Sequence, residues 1–270
     1  MRLLSVLVEG DHDVVFVDRA LQSFCGYVPF TRKLEDYPRP LGGGATSFLL
    51  SYVRRAAQER LTLADAKMVP RPGVDVALHD PNGDTLALVF NTGGVDRDAS
   101  ALLSDLDAGL STPSLNEFTS AAFLFCVDAD NVGAAARASA VARAHGALLG
   151  VSSLSHATWS TGASYRVGIY VFAAPGQSEG ALEDHLVPMV RAARPEEFAA
   201  AAQYLDGCAT PRDKLRGKPT SRAKALITCA GQFEWPGHPM AKMIRYNALH
   251  RDVFLASAGA KEFADFVAAL

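Results

Sequence analysis

The sequence predicts an α/β fold built on a mainly parallel sheet flanked by helices, and three observations predict it. Residues 3–8 and 121–127 are short apolar runs, the pattern of strands covered on both faces. Each run stops at an acidic turn, Glu9-Gly10 in one case and Asp128-Ala129-Asp130 in the other, and a helical pattern follows. The chain has 270 residues, 49% of them hydrophobic, enough to bury the core of one large α/β domain or of a domain with a smaller appendage.

The elements follow in order. Asp11 can cap the first helix, in which Val14, Val15, Val17, Ala20, Leu21 and Phe24 recur at helical spacing. Residues 25–72 are interrupted by Pro29, Pro38, Pro40 and Gly42-Gly43-Gly44 before a helix over 47–60, and read as an insertion. Runs at 74–79 and 85–90 flank Pro81-Asn82-Gly83, a hairpin signal, and the second run ends at Asn91-Thr92-Gly93-Gly94. A helix over 98–110, the strand 121–127, an alanine-rich helix over 132–147 and a strand over 166–172 come next. Helices are expected over 179–191, 195–205, 221–231 and 260–270, separated by Pro and Gly clusters. The expected organisation is a domain over 1–190 with a helix-hairpin insertion at 25–90, then a helical C-terminal extension over 191–270 packed on it.

Composition narrows the function classes. The apolar runs are far shorter than the roughly 20 residues that span a bilayer, so no membrane segment is expected. The N-terminus lacks the apolar core and small-residue cleavage site of a secretory signal, and the expected compartment is cytoplasmic. Cys25, Cys126, Cys208 and Cys229 are widely spaced and form no Cys-x-x-Cys pair, as expected of reduced thiols. The net charge of −3 does not announce a polyanion partner, so any such binding must be local. One local patch exists: Arg212, Lys214, Arg216, Lys218, Arg222 and Lys224 are accompanied by the single acid Asp213. It reads either as a solvated loop and helix start or as a contact for a phosphate backbone. Lys218 and Lys224 are the candidates within it for stabilising transition-state charge.

The chemistry lies at the strand ends. A parallel sheet would bring Glu9 to the same edge as Asp128 and Asp130, and alternate residues of an extended segment would turn both aspartates toward one ion. Carboxylates without His or Cys select Mg²⁺ or Mn²⁺, and Mg²⁺ is held by few carboxylates together with water and phosphate oxygens.

Val8-Glu9-Gly10-x-x-Asp13, the glycine-ended strand at Gly93-Gly94 and Val127-Asp128-Ala129-Asp130 resemble the TOPRIM domain of topoisomerases, primases and OLD-type (overcoming lysogenization defect) nucleases. The resemblance covers roughly residues 1–190. It implies a Rossmann-like TOPRIM core, with Glu9 as metal ligand or general acid/base and Asp128 and Asp130 as metal ligands. Gly10, Asp13 and Gly94 would support the turns. Gly180-Ala181-Leu182-Glu183-Asp184-His185 is similar to a segment that supplies acidic ligands in single-TOPRIM proteins and OLD-type nucleases, which implies Glu183 for a second ion and Asp184 as its support. With one or two ions in place, phosphodiester hydrolysis needs no protein nucleophile.

The rest of the chain lacks what the larger relatives carry. No DNA-gate domain surrounds any of the seven tyrosines, no Cys/His pairs stand at zinc spacing, and no Gly-x-x-x-x-Gly-Lys-[Ser/Thr] occurs. The expected activity is therefore that of a stand-alone TOPRIM protein: Mg²⁺- or Mn²⁺-dependent hydrolysis of nucleic acid, DNA before RNA. The alternative is a non-catalytic nucleic-acid or nucleotide-binding module within a larger assembly. A separately encoded ATPase and self-association are the further partner expectations.

Blander readings stand beside these. A Glu-Gly-x-x-Asp or Asp-x-Asp is common in α/β turns, and an acid at Glu183 suits the first turn of any helix. The run Gly42-Gly43-Gly44 reads as a flexible loop, because no Lys follows it. His12 reads as a surface helix residue and His185 as structural. Trp159 and Trp235 read as plugs of small cores rather than stacking platforms.

Overall fold

In the computed structural model of the chain, the described residues are 1–31, 37–41, 74–93, 99–112, 116–207, 219–245 and 251–270. The helix over 47–60, Gly42-Gly43-Gly44, Gly94, Cys208, Arg212, Lys214, Arg216 and Lys218 lie outside them.

The described strands are β1 (Arg2–Val8), β2 (Val28–Pro29), β3 (Val74–His79), β4 (Thr85–Asn91), β5 (Ser120–Asp128), β6 (Thr158–Thr161) and β7 (Arg166–Phe172). They form one sheet in the order β2-β3-β4-β1-β5-β7-β6. The expected α/β class with a mainly parallel sheet is what the structure shows. Central β1 is parallel to β4 on one side and to β5 on the other, with Val8 aligned to Asn91 and to Cys126. The shared register brings these three strands to an end at one edge of the sheet. Residues Leu3, Leu4, Val6, Leu86, Leu88, Phe123 and Leu124 are all at most 1% exposed, as two-sided burial of a parallel sheet requires.

The hairpin expected at 74–90 forms as β3 and β4, and its second strand joins the sheet beside β1. Asp80 closes its turn, accepting from Thr85 N at 2.8 Å. Short strands β2 and β6 were not legible as strands; they pair antiparallel at the two edges.

The described helices are α1 (Asp11–Phe24), α2 (Ser100–Leu110), α3 (Ala134–Leu149), α4 (Leu182–Ala193), α5 (Pro195–Gly207), α6 (Pro219–Gln232), α7 (Met240–Met243), α8 (Arg251–Leu255) and α9 (Ala258–Ala268). The alanine-rich helix α3 begins two residues later than expected, because Asp130 and Gly133 take positive φ of 47° and 89° and hold residues 130–133 in a turn. Helix α4 begins at Leu182 rather than at 179, after Gly180 at φ 126°.

By internal contacts the chain divides into two compact units, each discontinuous in sequence. The first comprises residues 1–10, 26–127 and 138–170. It holds most of the sheet, with α2 burying Leu102, Leu103, Leu106 and Leu110. Tyr165 fixes α2 from the start of β7, donating its hydroxyl to Asp107 Oδ1 at 2.6 Å and packing its ring edge-on against Phe123.

The second unit comprises residues 11–25, 128–137 and 171–270. Its core is an aromatic cluster in which Phe16 of α1 meets Phe172, Phe254 and Phe263 edge-on, with centroids 5.3, 5.5 and 5.7 Å away. Such pairs add about 0.5–1.5 kcal/mol each beyond area burial. Helix α6 packs against both α4 and α5. Among the described residues no helix is long and apolar enough to cross a membrane.

Candidate metal and phosphate site

Glu9 belongs to the first unit, in the bend after β1. It lines a cleft there with Val8, Thr92, Phe125, Val141 and His145. Thr92 ties the ends of β4 and β1 together, donating both its N–H and its hydroxyl to the Val8 carbonyl at 2.9 Å. The His145 ring stacks flat on Phe125 at 5.5 Å. Gly10 precedes α1, and Asp13 is buried within it.

The second unit brings together most of the other expected site residues. The acidic turn after β5 is pinned to the loop after β7: Ala129 N donates to the Phe172 carbonyl at 2.8 Å, and Asp130 and Gly180 exchange backbone hydrogen bonds of 2.7 and 2.8 Å. Asp128 Oδ1 accepts the N–H of Leu182, the first residue of α4, at 2.8 Å. That N–H has no partner within the helix, and a carboxylate is its strongest acceptor. Asp184 Oδ2 accepts from Ala181 N at 2.9 Å, so Asp184 caps the same helix start.

The extended geometry expected for residues 128–130 is not what forms. Asp130 adopts a left-handed conformation with φ 47°, a state that Asp tolerates better than most residues and that still costs ~1–3 kcal/mol. Its carboxylate is paired with the Arg137 guanidinium, which also donates from Nε to the Asp128 carbonyl at 2.8 Å. The twist arises because the paired backbone bonds to Gly180 and the start of α3 turn the chain at this point.

Glu183 is 2% exposed, in the first turn of α4. Its Oε1 lies 3.3 Å from His12 Nδ1 of α1 and 3.5 Å from Lys224 Nζ of α6. Its Oε2 is buried and has no hydrogen-bond partner among the described residues. Burial pushes the carboxyl up, but the His12 hydrogen bond, then the Lys224 charge, outweigh it and hold the group below the ordinary carboxylate range. Three helices thus converge on one buried carboxylate, and His12 is part of that convergence rather than a bare surface residue.

Arg222, by contrast, pairs with Asp206 at 2.6 Å on the surface. His185 packs on Phe172, and a Cβ at Gly259 would lie 2.3 Å from its Nδ1. Trp159 carries the Arg166 guanidinium over its ring, across the β6–β7 pair. Burial pushes the Cys25 thiol up to about 11, consistent with an inert reduced cysteine.

No protein-family model matches the chain, and no curated protein matches it. A crystal structure of a hypothetical protein from Pyrococcus horikoshii OT3 is similar to it, with a TM-score of 0.53 at 12% identity, covering 100% of this chain and 98% of that one. That likeness shows the fold alone. The chemistry rests on the side chains.

Whether these side chains fit a divalent cation is decided by their donors. No group of three or more His, Cys, Asp or Glu side chains stands ready as a complete metal cage among the described residues. Mg²⁺ does not need one, since it keeps several waters and takes one or two carboxylates plus phosphate oxygens. A buried carboxylate oxygen without a donor is costly and is what a cation satisfies. Carboxylate oxygens are the donor type that such an ion takes.

The sequence reading missed Arg137. The signal was there: an arginine in the first turn of α3 opposes the helix dipole by about 0.3–1 kcal/mol. A cation at that position needs a local anion to explain it.

Proposed function

We propose that this protein hydrolyses phosphodiester bonds of nucleic acid, DNA before RNA, in a Mg²⁺- or Mn²⁺-dependent manner. Asp128, Asp130 and Glu183 would be metal-holding carboxylates, as would Glu9, with one or two ions bound. The observation that carries this reading is the orphaned Glu183 Oε2, a buried acceptor in the first turn of the helix whose leading N–H is held by Asp128. When bound, such an ion supplies charge to the phosphodiester and activates water at neutral pH.

The chain's own residues do the rest. Asp128 and Asp130 sit on a turn whose backbone is bonded on both sides, so little reorganisation is needed on binding. Lys224, half-exposed and 3.5 Å from Glu183, would meet the anionic substrate and offset charge that develops on the phosphoryl oxygens. Arg222 and the basic residues before it would contact the backbone phosphates. The cytoplasm is the proposed compartment.

The experiment is to incubate the purified chain with plasmid and single-stranded DNA in Mn²⁺, beside a chelated control and Glu183→Gln. Metal-dependent scission lost in the variant is the expected result. Binding without scission in the native chain would replace the nuclease with a non-catalytic nucleic-acid-binding module.

A further inference from the structure

We infer that Arg137 is a positioning residue for the acidic turn: its guanidinium locks the Asp130 carboxylate and the Asp128 carbonyl in the arrangement that receives a divalent cation. The inference rests on the metal-site reading above.

Three observations carry it. The guanidinium is bifunctional, with Nη2 on the Asp130 carboxylate and Nε on the Asp128 carbonyl, so a single side chain joins both ends of Asp128-Ala129-Asp130. The Arg137 side chain is 17% exposed and that of Asp130 45%, so the cation is the fixed partner and the carboxylate stays reachable from solvent. Its place in the first turn of α3 works against the helix dipole, so helix stability alone does not explain an arginine there.

The contact does not exhaust the carboxylate. Arg137 engages Oδ2 of Asp130, and a carboxylate offers about four lone-pair sites over two oxygens. An ion can therefore be taken at the remaining sites while the arginine fixes the orientation, the usual division between a ligating carboxylate and its outer partner. Lysine is no substitute, because an ammonium is a point charge without the rigid fork that spans both acceptors.

The test is direct Mn²⁺ binding to the full chain without nucleic acid, read from the loss of the free-ion electron paramagnetic resonance signal, for the native chain, Arg137→Ala and Arg137→Lys. The apparent Kd should rise by about 10- to 100-fold in Arg137→Ala and fall between the two in Arg137→Lys. Millimolar guanidinium ion should recover part of the Arg137→Ala loss, which a general folding defect would not allow. In cleavage assays the Mn²⁺ concentration for half-maximal rate should shift in the same order as the Kd. Unchanged Mn²⁺ affinity in both variants overturns the inference. If Arg137→Ala fails to fold, Arg137→Lys with native affinity overturns it equally. A native chain that binds no Mn²⁺ is a different failure, since it removes the metal site itself.

Discussion

Lys224 Nζ lies 3.5 Å from Glu183 Oε1, the oxygen that also faces His12 Nδ1, while Oε2 of the same carboxylate has no hydrogen-bond partner among the described residues. One side of a buried anion is thus neutralised by the fold, and on the proposed reading the other side takes the ion. The asymmetry separates two roles that a mutation of Glu183 alone would confuse.

Lys224→Met keeps the aliphatic stem and removes the charge. The lysine side chain is 48% exposed, so its ion pair with Glu183 is worth only ~1 kcal/mol or less to the fold, measurable as a small shift of the urea midpoint. On the proposed reading the same charge offsets the transition state, and its loss then costs far more, on the order of 10²–10³ in kcat. A variant that is slightly destabilised but cleaves DNA at the native rate would remove Lys224 from the mechanism.

The depressed Glu183 carboxyl sets a pH dependence of stability. Its folded value lies below the unfolded reference of 4.5, so the native state binds the proton less readily than the unfolded chain. The stabilisation is therefore complete above that reference and is lost as pH falls through the lowered folded value. Thermal melts of the native chain and of Glu183→Gln should differ less at acidic pH than at neutral pH. An equal difference at both would contradict the assignment.

Asp128 has two separable duties. In Asp128→Ala both the charge proposed to hold metal and the acceptor for Leu182 N disappear, and lost caps typically cost ~1 kcal/mol. Asp128→Asn keeps an oxygen that can accept the N–H but lacks the charge. The two variants should be equally deficient in Mn²⁺-dependent cleavage, with Asp128→Asn the more stable on urea titration. Cleavage retained in Asp128→Asn would show that the charge is not used.

The legibility of the sequence follows the range of the interactions. Runs such as residues 3–8 and 166–172 announce their strands because two-sided burial demands apolar residues throughout, and β7 begins and ends where expected. Strand β6, Thr158–Thr161, has only half-buried and exposed positions and therefore no such signature. Glu183 was legible as a site candidate from its segment, but its partners were not. His12 and Lys224 lie 171 and 41 positions away on other helices, and their spacing in sequence carries no periodic mark. The bend at Asp130 was hidden for a related reason: its left-handed φ is imposed by bonds to Gly180, fifty residues downstream.

Gly180 is where the turn is most sensitive. Its φ of 126° is a conformation that side-chain-bearing residues rarely adopt, and a Cβ there would lie 2.4 Å from Ala174 N and 2.6 Å from Asp184 Oδ2. Neither neighbour yields cheaply, since Ala174 N is backbone bonded to the Glu179 carbonyl and Asp184 caps α4. Gly180→Ala should therefore cost ~1–3 kcal/mol in overpacking, with backbone strain added. It should also spread the two hydrogen bonds that hold Asp130, so Mn²⁺ affinity should fall in the fraction that remains folded. Gly176→Ala is the matched control: its φ is also positive, 75°, but nothing lies within 4 Å of the added methyl. A loss of Mn²⁺ affinity as large in Gly176→Ala as in Gly180→Ala would mean that general loop strain, and not the bond between Gly180 and Asp130, sets the shape of the acidic turn.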